Sequence, residues 1–173
     1  MPNWCENTFK VVGEQDDVRK FDKAFKGFPA LWDGELEEKR YSLNALFPVP
    51  KEVLEVGYSA SRTPQEKFKA ISAQKEWVDG YTWCINNWGT KWDISRVRVS
   101  RIPLRGLLIV EYHFLTAWSP PIEWVNKIAK DWPTIEMELS FFEPGMGFSG
   151  ILSAKGDASE LIENDYFEFE EGD

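Results

Sequence analysis

The sequence predicts an α+β fold in which one antiparallel sheet is covered on one face by helices. Three observations predict it. Residues 7–12, 95–102, 107–116 and 134–142 alternate apolar with polar side chains, as strands with one buried and one wet face do. Residues 16–26, 63–88 and 119–132 place apolar side chains at helical spacing behind capping residues. The order is strand, helix, aperiodic stretch, helix, strand, strand, helix, strand, strand. With the aperiodic stretch set aside, this is the split β-α-β order of ferredoxin-like domains. At 173 residues and 20.1 kDa the chain suits one such domain over residues 1–155. Residues 28–62 then form an insertion packed on it, and 156–173 an acidic C-terminal extension able to add an edge strand.

The elements follow in order. The first strand turns Phe9 and Val11 to one face and Thr8, Lys10 and Val12 to the other, and Gly13 ends it. Asp16 or Asp17 is suited to cap a helix through about Lys26, with Val18, Phe21 and Phe25 on one face and Gly27 as its stop. From Phe28 to Arg62 no period holds. Asp33-Gly34 signals a turn, residues 35–40 are a charged loop, and the proline-broken residues 43–50 read as an extended segment laid over the domain. Thr63-Pro64-Gln65-Glu66 is a helix start with a capping box, leading through Phe68, Ile71, Val78, Tyr81, Ile85 and Trp88, with irregularity expected at Gly80 and an end at Gly89. Residues 95–102 turn Val97 and Val99 inward and Arg96 and Arg98 outward. Residues 103–106 form a turn. Leu108, Val110, Tyr112 and Phe114 give the returning strand its apolar face. Ser119 is expected to cap the next helix, whose buried stripe is Trp124, Val125, Ile128 and Trp132. Ile135, Met137, Leu139 and Phe141 face inward from the strand after it. Residues 143–147 turn, 148–155 return, and 166–170 carry alternating glutamates suited to an edge.

Composition narrows the function classes. Two cysteines and one histidine exclude a disulfide framework and a Cys/His zinc site, and no metal or cofactor is expected. No run approaches eighteen apolar residues, and the start lacks a basic stretch followed by an apolar one. Neither a membrane span nor a secretory signal is therefore expected. The formal charge is −9, yet the first 155 residues hold 20 basic and 21 acidic residues. The eight acids after Lys155 carry the excess. A solvated edge accounts for that tail; mimicry of a nucleic-acid backbone, aimed at a basic partner, is the sharper reading. The acidity argues against general nucleic-acid binding. Nine tryptophans are a heavy use of a ring that brings large buried area and one N–H in need of an acceptor.

Five stretches carry a family resemblance: Met1-Pro2-Asn3-Trp4-Cys5-Glu6-Asn7, Phe47-Pro48-Val49-Pro50, residues 83–93 around Trp88-Gly89-Thr90-Lys91-Trp92-Asp93, Thr116-Ala117-Trp118-Ser119-Pro120-Pro121, and residues 143–150. Together they resemble the YubB-type family of phage- and plasmid-encoded proteins with a ferredoxin-like domain, over roughly residues 1–155. The resemblance implies the fold and a mobile-element origin, hence the cytoplasm of a bacterial host. It implies no iron–sulfur cluster, which two cysteines could not hold, and it transfers no catalytic residue.

In such a sheet the first and third strands are expected to run parallel, and the second antiparallel to the third. Residues 87–93 then lie beside 116–121, which gathers Trp88, Thr90, Lys91, Trp92, Asp93, Thr116 and Trp118 at one end of the domain. Trp4 and its neighbours lie at the other end, near residues 143–148. The structural reading is that Gly89 ends a helix, Asp93 binds backbone N–H groups of a turn or pairs with Lys91, and Ser119 caps a helix. The functional reading is a recognition pocket with aromatic walls, a cation, a carboxylate and hydroxyls. Catalysis has less behind it. Cys84 reads as a small core residue and Cys5 has no histidine beside it. His113 alternates with Glu111 along a strand as a pair able to handle protons, or as ordinary polar decoration. Arg96, Arg98, Arg101 and Arg105 cluster on the hairpin and suggest either single-strand nucleic-acid binding or pairing with cross-strand glutamates such as Glu111. The expectation is a non-catalytic module that binds an unidentified protein partner. Nucleic-acid binding through the sheet, or an enzyme using His113 and Glu111, is the alternative.

Overall fold

The structure, a computed structural model, describes residues 3–32, 37–58 and 79–165. Strand β1 (Trp4–Glu14) lies inside a six-stranded sheet and pairs on both edges. On one side is β5 (Leu107–Ala117), followed by β4 (Ser95–Leu104). On the other is β6 (Glu136–Glu143), followed by β7 (Phe148–Lys155) and β8 (Ala158–Asp165). The order is β4-β5-β1-β6-β7-β8, and every neighbouring pair is antiparallel. The period of two divides its faces. Phe9, Val11, Val110, Tyr112, Phe114, Met137, Leu139 and Phe141 are buried on the inner face. Helices α1 (Gln15–Ala24) and α5 (Ile122–Asp131) cover that face with Val18 and Phe21 from one, and Trp124, Val125 and Ile128 from the other. Phe9 stacks on Tyr112 at 5.9 Å and meets Trp124 edge-on at 5.6 Å, so the wide rings fill the layer between sheet and helices.

The first and third strands, β1 and β5, are antiparallel rather than parallel as the sequence reading expected. A β-α-β crossover makes β1 parallel to β4, which is not its neighbour, and the β4–β5 hairpin reverses the chain once more. Trp4 therefore pairs with Ala117, at the same end as the 87–93 segment, and not at the opposite end. The β4–β5 turn is also tighter than residues 103–106. Only Arg105 and Gly106 turn, with φ of +46° and +88°, which suits the twist of a two-residue hairpin.

Several boundaries move for local reasons. Helix α1 begins at Gln15 without a side-chain cap; Asp16 and Asp17 lie in its first turn, where they complement the helix dipole. It ends at Ala24. Gly27 belongs to the short strand β2 (Lys26–Gly27), paired with β3 (Arg40–Tyr41), and does not stop the helix. The insertion is not extended over residues 43–50: it forms helix α2 (Leu43–Leu46), capped by the Ser42 hydroxyl, and then α3 (Lys51–Val56). The pre-proline restriction acts only on Phe47 and Val49, so it separates two short helices instead of straightening the whole segment. Helix α4 (Gly80–Trp88) is capped by the Asp79 carboxylate, which accepts from Thr82 N–H, and ends at Gly89, φ +82°. The helix start at 63–66 and the apolar positions Phe68, Ile71 and Val78 fall outside the described residues, as does the glutamate-rich stretch 166–170. The edge strand of the extension is Ala158–Asp165. It is α1 and α5 that lie on the sheet, while α4 packs against α5 and α3.

Arg101 faces the helices, not Glu111, because it shares the parity of Val97 and Val99. Its guanidinium donates to Asp22 of α1 at 2.9 Å and to the Tyr41 hydroxyl at 2.8 Å. The Tyr41 and Tyr112 hydroxyls each donate to Asp22 at 2.9 Å, so one carboxylate joins α1, β3, β4 and β5. Burial works against its charge, but the Arg101, Tyr112 and Tyr41 hydrogen bonds outweigh that and hold Asp22 below the usual carboxylate range. Burial, with Asp22 next to it, pushes the Tyr41 phenol up to about 12.

A depressed carboxyl stabilises the fold above its unfolded pKa, and that contribution fades as pH falls through its folded value. Asp22→Asn is expected to cost about 2 kcal/mol at neutral pH. The gap between variant and wild type is expected to close in acid, as chemical denaturation at pH 7 and pH 3 will read.

Candidate functional site

The loop after α4 and the loop after β5 are joined by their own polar side chains. Ser119 Oγ donates to Gly89 O at 2.6 Å, and Thr90 Oγ1 to Ala117 O at 3.1 Å. Thr116 Oγ1 donates to Ser119 O at 2.8 Å and accepts from Asn7 Nδ2 at 2.9 Å. Ser119 is thus a link between loops, not the cap of α5, which starts behind Pro121 without a side-chain cap. Gly89 is confined as well as left-handed, since a Cβ there would lie 3.2 Å from both Pro120 O and Ile122 N.

Asp93 is half-buried with its carboxylate turned inward, and it does not reach Lys91. Its carboxylate accepts from Leu43 N–H and Ile94 N–H, each at 2.8 Å, and from the Ser42 hydroxyl. Burial pushes this carboxyl up, and those three donors pull against it. Trp88 is buried too, its indole N–H donating to Phe47 O at 3.0 Å; Trp124 does the same to Leu43 O. Of the seven candidate residues, Trp88, Thr90, Asp93 and Thr116 therefore face inward and hold the loops. Lys91, Trp92 and Trp118 remain to meet solvent.

These three stack. Lys91 Nζ lies 4.5 Å from the Trp92 ring centroid and 4.3 Å from that of Trp118. Trp4, which the sequence reading placed elsewhere, stands 6.3 Å from Trp92. Trp118 is 59 % exposed, Trp92 39 % and Trp4 37 %, so the patch is one ammonium between two large rings, with a third ring against Trp92. Trp118 holds φ +73°, a left-handed backbone that bulky residues avoid, and its N–H donates to Asn3 O at 2.9 Å. Tyr58 fixes the other side by donating its hydroxyl to Lys91 O at 2.7 Å. The antiparallel β1–β5 register would have revealed the place of Trp4; composition alone gives no such signal.

Next to the patch runs a groove of about 1300 Å³ whose walls include Trp4, Trp92, Tyr41, Lys26, Lys39 and Arg96. The remaining chemistry expected from sequence is dispersed. Burial pushes the Cys5 and Cys84 thiols up to about 12 each, which leaves neither a nucleophile near neutral pH. His113 stands on the outer sheet face, its Nδ1 3.0 Å from Thr8 Oγ1 and its Nε2 3.7 Å from Glu111. Among the described residues no group of three or more His, Cys, Asp or Glu is placed to hold a metal ion. No helix among them is long and apolar enough to cross a membrane.

Residues 87–172 match the family model described as the ferredoxin-like domain in Api92-like protein. The match takes in the stacked patch from Lys91 to Trp118 and the five strands from β4 to β8. The fold is similar to the crystal structure of a protein api92 from Yersinia pseudotuberculosis, with a TM-score of 0.57 at 9 % identity, over 98 % of this chain and 100 % of that one. At that identity the likeness is one of fold. No curated protein matches the sequence.

Inward and outward residues of the cluster are expected to separate by stability. Asp93→Ala strips the acceptor from three buried donors and should cost about 3 kcal/mol, whereas Trp118→Ala, half in solvent, should cost less than about 1 kcal/mol. Urea denaturation of the two variants will measure both.

Proposed function

We propose that this protein is a non-catalytic binding module of a mobile genetic element, of the YubB type, that works in the cytoplasm of a bacterial host by engaging a protein partner. The observation that carries this reading is the exposed stack of Trp4, Trp92 and Trp118 around Lys91. Tryptophan-centred patches hold most of the binding energy at protein interfaces, because a flat ring covers much area with few rotatable bonds. The backbone strain at Trp118 supports it: a left-handed tryptophan costs roughly 1 kcal/mol, and its effect here is to hold the ring outward.

The groove beside the patch supports the chemistry of the partner. Lys26, Lys39 and Arg96 line it with Trp4 and Trp92, in a chain whose formal charge is −9. The partner segment that fits is acidic, with an apolar or aromatic side chain to lie against the tryptophans. The acidic extension is less suited as the contact, since Ala158–Asp165 is a strand of the sheet. A truncation meant to test the tail should stop after Asp165.

A random peptide library selected on the purified protein tests the reading. Peptides rich in Asp and Glu around an aromatic residue are expected to be enriched. Their affinity is expected to fall about tenfold in Trp118→Ala and in Lys91→Glu, and to fall further as salt rises. Enrichment without acidic bias, or affinity indifferent to both substitutions, would overturn it.

A further inference from the structure

The outer face of the sheet bears no helix among the described residues, and its side chains fall in register across the strands. One row reads Arg98, His113, Thr8 and Ser140, contributed in turn by β4, β5, β1 and β6. The row beside it holds Leu115, Glu6 and Phe142. Together they line a basin of about 790 Å³, which Arg96 also edges. That volume is of the order that holds a small organic ligand.

The basin differs in charge from the molecule around it. Arg96 and Arg98 are exposed cations, and Glu6 is the one acid in the lining. Glu111 turns toward His113 Nε2 at 3.7 Å and is not part of the wall. In the next row Glu138 is held by Lys10 at 2.9 Å, and beyond that Glu136 is held by Lys155 at 3.1 Å. The bulge in β4 between Ser95 and Arg98, where Arg96 takes φ +53°, sits at the rim of the basin. Bulges re-aim side chains at the sheet edge, and here two arginines follow closely on one another at that point.

The guanidiniums of Arg96 and Arg98, the Ser140 hydroxyl and the Thr8–His113 pair, which already share one hydrogen bond, form a donor set that suits a phosphate. Leu115 and the 42 %-exposed Phe142 supply an apolar surface beside it. We propose that this face binds a free nucleoside phosphate, with its phosphate against Arg98, Arg96 and the Thr8–His113 pair and its base over Phe142 and Leu115. A longer strand fits less well, because Glu111, Glu138 and Glu160 stand in the row beyond and a polyanion crossing the sheet must pass them. The basin meets the groove beside the tryptophan patch at Arg96 and Val97, while Arg98, His113 and Phe142 line the basin alone, so a substitution at Arg98 tests it apart from the patch.

Amide and side-chain NMR shifts of the full chain, titrated with AMP, inorganic phosphate, adenosine and a single-stranded ten-nucleotide DNA, test the proposal. AMP is expected to move the Thr8, Arg98, His113 and Phe142 signals with saturation below about 10 mM, more tightly than phosphate or adenosine alone. Arg98→Glu should weaken AMP about tenfold, and the milder Arg98→Gln should weaken it less; Arg98 is exposed, so the fold is retained in both. Shifts that never saturate, or an affinity equal in wild type and Arg98→Glu, would overturn the site. Binding of the oligonucleotide well beyond that of AMP would overturn the free-nucleotide reading in favour of a strand.

Discussion

The buried Asp93 carboxylate is the joint on which this end of the molecule depends. It stands where the chain leaves α4 and enters β4, and it takes its hydrogen bonds from both places: Ile94 N–H ahead of it, and Leu43 N–H and the Ser42 hydroxyl of the insertion. Two indoles complete the grip from the other side, Trp124 on Leu43 O and Trp88 on Phe47 O. A four-residue helix such as α2 has almost no stability of its own, since most of its backbone groups have no partner within it. Here those groups are answered from outside, by one carboxylate and two tryptophans that also bury their rings in the core. The insertion is thus held both by hydrogen bonds to its backbone and by Leu43, Val49 and Val53, which are buried in the core.

This arrangement decides what the surface displays. Thr90, Thr116, Ser119 and Asn7 spend their polar atoms tying the 89–93 loop to the 116–119 loop and to β1. Once they are committed, the side chains left over at that end are Lys91, Trp92, Trp118 and Trp4. The patch is therefore a product of the same network that makes the loops rigid, and it is presented on strand ends and short, tethered turns. A rigid aromatic patch loses little entropy when something binds to it. The left-handed Trp118 is the one place where the network accepts strain, and Asn3 O secures it there.

The sequence was most legible where a period repeated. The inward residues of β1, β5 and β6 and the buried stripe of α5 all follow from alternation or helical spacing, because burial on one face imposes that pattern. It was least legible where a residue had two uses. Ser119 looks like a cap and ties two loops together. Asp93 suits either backbone N–H groups or Lys91, and it takes the backbone N–H groups. Arg101 looks like one of a row of outward arginines, but its parity sends it to Asp22. In each case the side chain suits both roles, and only the distant strand or loop that arrives beside it decides. The misplacing of Trp4 had a different source: it came from the assumed direction of the third strand, and a single reversed strand moves a residue to the opposite end of the domain.

Net charge is a poor guide to this protein because its charges are sorted by strand. Among the described residues the acids of the C-terminal region begin at Asp157 and ride on β8, at one edge of the sheet, while Arg96 and Arg98 stand at the opposite edge on β4. Between them Glu138 and Glu136 of β6 are tied to Lys10 and Lys155, and Glu143 accepts from the Gly145 and Met146 N–H groups. Six strands at about 4.8 Å spacing put roughly 24 Å between the two edges, more than two screening lengths at physiological salt. Over that distance the acidic edge exerts little force on an anion at the basic one. A formal charge of −9 is therefore no bar to the acidic peptide and the phosphate proposed above, provided neither ligand is long enough to reach the far strands.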